Sequence, residues 1–249
     1  RIKVGCKWIS VVSAIAVQDI NGVDMQFVQC LLNCGFGVII MPIAGILLLI
    51  RGAALRSMLF ELFDSSTGTI AILAAAAVCL VSTMNDMTAP SVSLEGKTLW
   101  ILRSMPVTTQ QIFRAKLAMQ LLLSGISVLF AAICTCIAFA VPIGSTIAVI
   151  LACLSLVVLL AEFGLFLDLK KPNLNWTTEI TPIKQSSSVM FALFGGWLYV
   201  LLFGAGWFLC AHALGAELYL MLFFALNMIL SAVLRSWLMR SGTDIFESL

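Results

Sequence analysis

The chain has 249 residues, of which 61% are apolar and only 10% charged, and its mean hydropathy is +1.10; a typical globular chain is roughly 45–50% apolar and about 25% charged. A soluble particle of this size has too little interior to hide so much hydrocarbon, so the composition excludes a soluble enzyme and a disordered tail and selects a bilayer as solvent. Fourteen basic against twelve acidic side chains leave a formal net charge of +2, which excludes the basic surface that a nucleic-acid binder needs.

The first 26 residues form a lead-in. Trp8 to Val17 is apolar but too short to span, and Asp19 and Asp24 interrupt it, so the segment reads as an interfacial helix at the N-terminus. The chain opens at Arg1 without methionine and without a charged-then-apolar signal peptide, which fits a piece of a longer product.

Residues 27–249 read as one membrane domain. Six stretches are long enough to cross about 30 Å of hydrocarbon at about 1.5 Å per residue: Phe27 to Ile50, Gly68 to Met84, Leu117 to Val141, Ile143 to Leu167, Val189 to Leu209 and Leu218 to Leu234. The third and fourth meet at Pro142-Ile143-Gly144, a tight hairpin, and Arg51 to Thr67 is the long connection on the outer side. The expected fold is therefore an all-α membrane protein with six transmembrane helices. Twelve of the fourteen Lys and Arg side chains fall on the side that holds both ends, and Arg51 and Arg56 fall opposite; this places both termini in the cytoplasm.

Two cytoplasmic loops are long and patterned, 85–116 and 168–188. In the first, Leu94 to Met105 reads as a short surface helix carrying Trp100, Ile101 and Leu102 among Glu95, Lys97 and Arg103, able to lie along the membrane and offer a charged edge to a soluble partner. Thr108 with Gln111 fits a capping box that starts the third helix. In the second, Pro172 ends the fourth helix and Trp176 suits the headgroup layer. Asn175-Trp176-Thr177 spells a glycosylation sequon that would be inert in the cytoplasm.

Polar residues inside the spans mark contacts or pathways. On the third span Gln120, Ser124, Ser127, Ala131, Cys134 and Ala138 recur by four and three and share one face, either a helix-packing seam or the lining of a route. Glu162 lies six residues before Asp168, on the order of 9 Å below the boundary, with Ser155 on its face; it is either paired structurally or set in a gating or substrate role. Asn227, with Ser231 one turn on, suits an interhelical hydrogen bond. His212 reads as a loop residue. Cys30, Cys34, Cys79, Cys134, Cys136 and Cys153 sit in apolar runs without metal spacing, where a thiol packs as a small apolar group.

Ser93-x-Glu95-Gly96-Lys97-x-x-Trp100, followed by Ser104-x-Pro106 and Lys116, resembles the permeases of a bacterial ABC-2-type export system. So do Asp168-x3-Pro172-x-Leu174-x-Trp176 with Lys184, in the loop that also holds Lys171, and the terminal Gly242-x3-Phe246-x-x-Leu249. The resemblance covers Phe27 to the C-terminus. It implies a six-helix domain in the bacterial cell membrane that pairs with a second such domain and with two cytoplasmic ATPase subunits, and that corresponds to the C-terminal half of longer relatives. It assigns coupling to ATPase motion to Glu95, Gly96, Lys97, Trp100, Arg103 and Pro106. No cofactor is expected in this chain, since ATP and magnesium would belong to the partner. Gly96-Lys97-Thr98 only mimics a phosphate-binding loop: position 91, where that motif needs glycine, is Ser91.

The sequence thus predicts a transport subunit rather than an enzyme, moving an amphipathic or lipid-like substrate or a peptide. An intramembrane lipid-modifying enzyme would need an acid/base pair in reach, yet Glu162 and Asp168 point in different directions. An ion channel or ion-coupled carrier commonly needs several buried charges, and only one carboxylate enters the spans.

Overall fold

A computed structural model of the chain describes residues 36–62, 67–99, 106–174, 176, 186–210 and 215–249. The lead-in 1–26 and the sequence predictions for Trp100, Arg103, Lys184 and His212 lie outside these residues. The elements are α1 (Phe36–Leu62), α2 (Thr67–Ser82), a 3-10 turn (Ser93–Thr98), α3 (Thr109–Ala138), α4 (Ile143–Lys170), α5 (Ser187–Cys210), α6 (Ala216–Trp237), a short π segment (Leu238–Gly242) and α7 (Thr243–Ser248). No strand occurs among the described residues.

Among the described residues, four helical runs are long and apolar enough to cross a membrane: Thr109–Ala138, Ile143–Lys170, Ser187–Leu209 and Ala216–Ser248; Phe36–Gly52 and Gly68–Ser82 are shorter apolar helices. The composition and these runs make the chain a membrane-embedded, all-α protein. Large apolar side chains such as Leu122, Ile126, Leu201, Leu202, Ile229 and Val233 are exposed, as a helix surface facing hydrocarbon requires.

α4 is the centre. Its apolar window is 56% buried, against 22% for α5 and for the run that begins with α6, because α2, α3, α5 and α6 all pack on it. The main core joins Ala71, Ala75 and Cys79 of α2, Val128 and Ala132 of α3, Ala152, Leu156 and Leu160 of α4, Phe203 of α5 and Phe223 of α6. Small residues at the crossings let backbones approach closely, the usual means of helix association where lipid removes the hydrophobic drive.

α4 and α6 run parallel, held by polar rungs in the same order along both. Ser145 Oγ donates to Glu217 Oε1 at 3.0 Å, Asn227 Nδ2 donates to Ser155 Oγ at 3.0 Å, and Ser231 Oγ donates to Glu162 Oε2 at 2.6 Å. α5 returns the chain between them and joins the middle rung, since the Tyr199 hydroxyl donates to Asn227 Oδ1 at 2.6 Å.

Three expectations change. The outer connection Arg51 to Thr67 is instead mostly helix, because α1 continues to Leu62; the run from Gly52 is rich in Ala, Leu, Arg and Met, good helix formers whose charges do not stop a helix. Gly45 and Gly52 then let α1 lie against α3, where added Cβ atoms would stand 3.2 Å from Cys134 Cβ and 2.8 Å from Ala138 Cβ. Half of the small face of α3 is thus occupied by α1.

The reversal between α3 and α4 centres on Ala140 rather than on Pro142-Ile143-Gly144. Val141 N–H bonds Cys136 O at 3.0 Å and Ala140 N–H bonds Ile137 O at 3.1 Å, with Ala140 at φ 49°. This is a Schellman stop, whose left-handed residue is usually glycine; alanine there hid the signal. Gly144 already belongs to the first turn of α4, where an added Cβ would stand 2.6 Å from Glu217 Oε1.

The surface helix expected over Leu94 to Met105 is replaced, within the described part, by the 3-10 turn Ser93–Thr98 broken at Gly96 (φ 44°, ψ −120°). Its neighbours take up the segment's polar groups, as the next subsection details.

Candidate functional site

Residues 85–99 leave α2 and pack into one end of the bundle, below called the loop end, with Asn85, Asp86, Thr88 to Pro90, Val92, Ser93, Gly96 and Leu99 buried. Asn85, Thr88, Ala89, Val92 and Ser93 are at most 1% exposed. A buried irregular segment must have its backbone groups satisfied by neighbours, and side chains from three helices do so.

From α3, Gln120 Oε1 accepts from Thr88 N–H at 2.8 Å while its Nε2 donates to Asn85 O at 2.9 Å. Lys116 Nζ donates to Ser91 O and to Glu95 Oε1, both at 2.7 Å. From α5, Ser188 Oγ donates to Ala89 O at 3.1 Å. In the other direction Thr88 Oγ1 donates to the Ala161 carbonyl of α4 at 2.7 Å.

Asp168, in the last turn of α4 and 0% exposed, receives the start of the 3-10 turn. Its Oδ2 accepts from Val92 N–H at 2.6 Å and Ser93 N–H at 3.1 Å, and its Oδ1 accepts from Ser93 Oγ at 2.5 Å. Hydrogen bonds to an ionised acceptor are the stronger kind. Ser93 also ties in the second loop: its Oγ accepts from Asn173 N–H at 3.0 Å and its carbonyl from Trp176 Nε1 at 2.7 Å. The indole lies over Gly96, where an added Cβ would stand 2.8 Å from Trp176 Nε1.

The C-terminal motif closes the same end. Phe246 is 1% exposed and meets Phe113 edge-on with centroids 5.5 Å apart. Val92, Leu99, Leu165, Leu169 and Leu238 complete this second core, with Leu174 and Leu249 packed against it. Gln110 Nε2 donates to Met239 O at 3.1 Å, and Thr109 Oγ1 to Glu247 Oε1 at 2.9 Å. Gln111 Oε1 accepts from the Thr108 amide at 3.1 Å, the return bond that the capping-box spacing predicts.

One carboxyl of the segment stands apart. Asp86 is buried and its Oδ1 accepts no hydrogen bond among the described residues. Burial, reinforced by the nearby Asp168, pushes its pKa up to about 7 despite the opposing pull of the adjacent Ala89 amide and Thr88 hydroxyl. Gly164 of α4 lies directly beneath it, so close that a Cβ there would collide with the carboxyl and with Thr88 Oγ1.

Of the residues singled out in the sequence, Glu95, Gly96, Asp168, Trp176 and Gln120 come together here. Lys97 lies within the turn, and Pro106 is exposed just before the α3 cap. Pro172 follows the end of α4, and Lys171 Nζ stands 5.4 Å from the Phe191 ring of α5. Ser124 Oγ is buried with no partner among the described residues, and Ser127 Oγ bonds back to Leu123 O at 3.1 Å. Glu162 and Asn227 lie apart, on the α4–α6 rungs. Glu162 and Asp168 have different partners, Ser231 and residues 92–93. Cys79 and Cys153 are buried with their sulfurs 3.7 Å apart, and no group of His, Cys, Asp and Glu among the described residues is arranged to hold a metal ion.

Sequence reasoning missed Asn85, Asp86, Thr88, Gly164 and Ser188. The polarity of the loop residues looked like that of a solvated loop; the available signal was Gly164, a glycine among the bulky apolar residues Phe163, Leu165, Phe166 and Leu167. In comparisons with known proteins, no protein family, curated protein or solved structure matches this chain.

Proposed function

We propose that the chain is the membrane-spanning subunit of an ATP-driven exporter, with residues 85–99 receiving motion from a separate ATPase. The observation that carries this reading is the convergence of three distant sequence motifs at one end of the bundle, 93–97 and 168–176 through hydrogen bonds and 242–249 through the apolar packing of Phe246. A load on the 93–97 turn would pass to α3 through Lys116 and Gln120, to α4 through Asp168, and to α5 through Ser188. A short rigid segment tied to three helices is a means of moving them together, which is what coupling to an external motor requires.

In this reading α1 and α2 also span, giving six helices, and the loop end faces the cytoplasm of a bacterial cell, as the lysine and arginine bias favours. The parallel α4 and α6 fit that topology, since a single return helix separates them. ATP and magnesium would reside in the partner, a second transmembrane domain would complete the pathway, and the apolar helices suit an amphipathic cargo. The test is to co-express the chain with the ATPase encoded beside it and co-purify the two. Association that falls at least tenfold on Glu95→Ala with Trp100→Ala, in chains that still fold, supports the reading. Transport and association that survive both changes would overturn it.

A further inference from the structure

α3 and α6 both pack on α4 but leave a cleft of about 280 Å³ between them. Its walls are apolar, from Leu117, Leu121 and Val158, its floor carries Glu162, and its rim carries Arg114 and Arg235. The spacing explains the arrangement: Arg114, Leu117 and Leu121 recur by three and four on α3, and Arg235 is one turn beyond Ser231 on α6.

Among the described residues the charges are not used up. Glu162 is 2% exposed; Oε2 is taken by Ser231, while Oε1 accepts from no described residue. Arg235 is near enough to attract the carboxylate but forms no ion pair with it. Both arginines are exposed and make no hydrogen bond or ion pair to a described residue. A carboxylate at this depth with no ion pair to a described residue is costly, so the cleft has the form of a site that can take a further cation.

We propose that the cleft binds the headgroup of an amine-bearing phospholipid. Its phosphate would lie between Arg114 and Arg235, which suit phosphate oxygens, and its primary ammonium would donate to Glu162 Oε1. The volume lies at the lower edge of small-molecule sites, about 300–1,000 Å³, so it holds a headgroup while the acyl chains leave along Leu121 into the bilayer. Glu162 sets the selectivity: a quaternary ammonium has no N–H to donate, and a glycerol headgroup has no positive charge.

The site stands whether or not the chain is a transporter, and its test needs no ATPase. The full chain, stripped of lipid in detergent, is titrated with phosphatidylethanolamine, phosphatidylcholine or phosphatidylglycerol and read by native mass spectrometry and thermal melting. Phosphatidylethanolamine should bind at least tenfold more tightly than phosphatidylcholine. Glu162→Gln should erase that preference, and Arg114→Gln with Arg235→Gln should weaken all three lipids. Val158→Phe, which fills the cleft without touching a charge, should remove the preference independently should the glutamine variant fail to fold. Equal binding of the three lipids, or a preference that survives both Glu162→Gln and Val158→Phe, overturns the proposal. Free phosphoethanolamine that matches the lipid's affinity would overturn the assignment to a lipid.

Discussion

The indole of Trp176 lies across Gly96 and donates from Nε1 to the Ser93 carbonyl at 2.7 Å, so that two loops more than seventy residues apart become one body. Glycine is required twice over at that point. Its φ of 44° with ψ of −120° is a conformation that L side chains rarely adopt, and no Cβ fits beneath the ring. Gly96→Ala should therefore cost about 2 kcal/mol or more and expose residues 85–99 to proteolysis. Trp176→Phe, which keeps the cover and loses the hydrogen bond, should cost only about 1 kcal/mol. Equal melting temperatures for the wild type and Gly96→Ala would refute the interlock.

Asp86 should make stability depend on pH. Its folded pKa of about 7 lies above its ordinary 3.8, so the folded state holds the proton more tightly than the unfolded one. That contribution is fully present below about pH 4 and is lost as pH rises toward 7, where it levels off. By linkage the change is on the order of 3–4 kcal/mol. Asp86→Asn, which keeps the shape without the titration, should differ from wild type by a gap that widens between pH 4 and 7. Melting curves across that range, taken as the difference between the two proteins, provide the check; parallel curves would remove Asp86 from the account.

The turn at Ala140 should be improvable. A non-glycine residue at φ 49° costs on the order of 1 kcal/mol relative to glycine, and this residue is exposed. Ala140→Gly should raise stability by about 0.5–1 kcal/mol, partly offset by the greater entropy of unfolded glycine. A fall in melting temperature would contradict the Schellman geometry.

Asn227 joins three helices, and its two side-chain bonds should be separable. Tyr199→Phe and Ser155→Ala should each cost about 0.5–1.5 kcal/mol, while Asn227→Leu should cost more because it removes both bonds and leaves the Tyr199 hydroxyl without its acceptor. A double-mutant cycle between Tyr199 and Asn227 should return a coupling of about 0.5–2 kcal/mol. Coupling indistinguishable from zero would mean that the helices are held by packing alone.

Composition and periodicity determined the solvent, the helical class and the places where α3 to α6 lie, because apolar length and capping are local properties written in consecutive residues. Thr108 with Gln111 marked a helix start, and Asn227, with Ser231 one turn on, suited an interhelical hydrogen bond. The tertiary structure alone decided what residues 85–99 are. Their serines, threonines, Asn85 and Asp86 read as solvent-facing, yet the carboxylate of Asp168, the amide of Gln120 and the space left by Gly164 reach them from elsewhere in the chain and replace water. Whether a polar residue is exposed or buried depends on whether a partner arrives, and a partner some eighty residues away leaves no local trace.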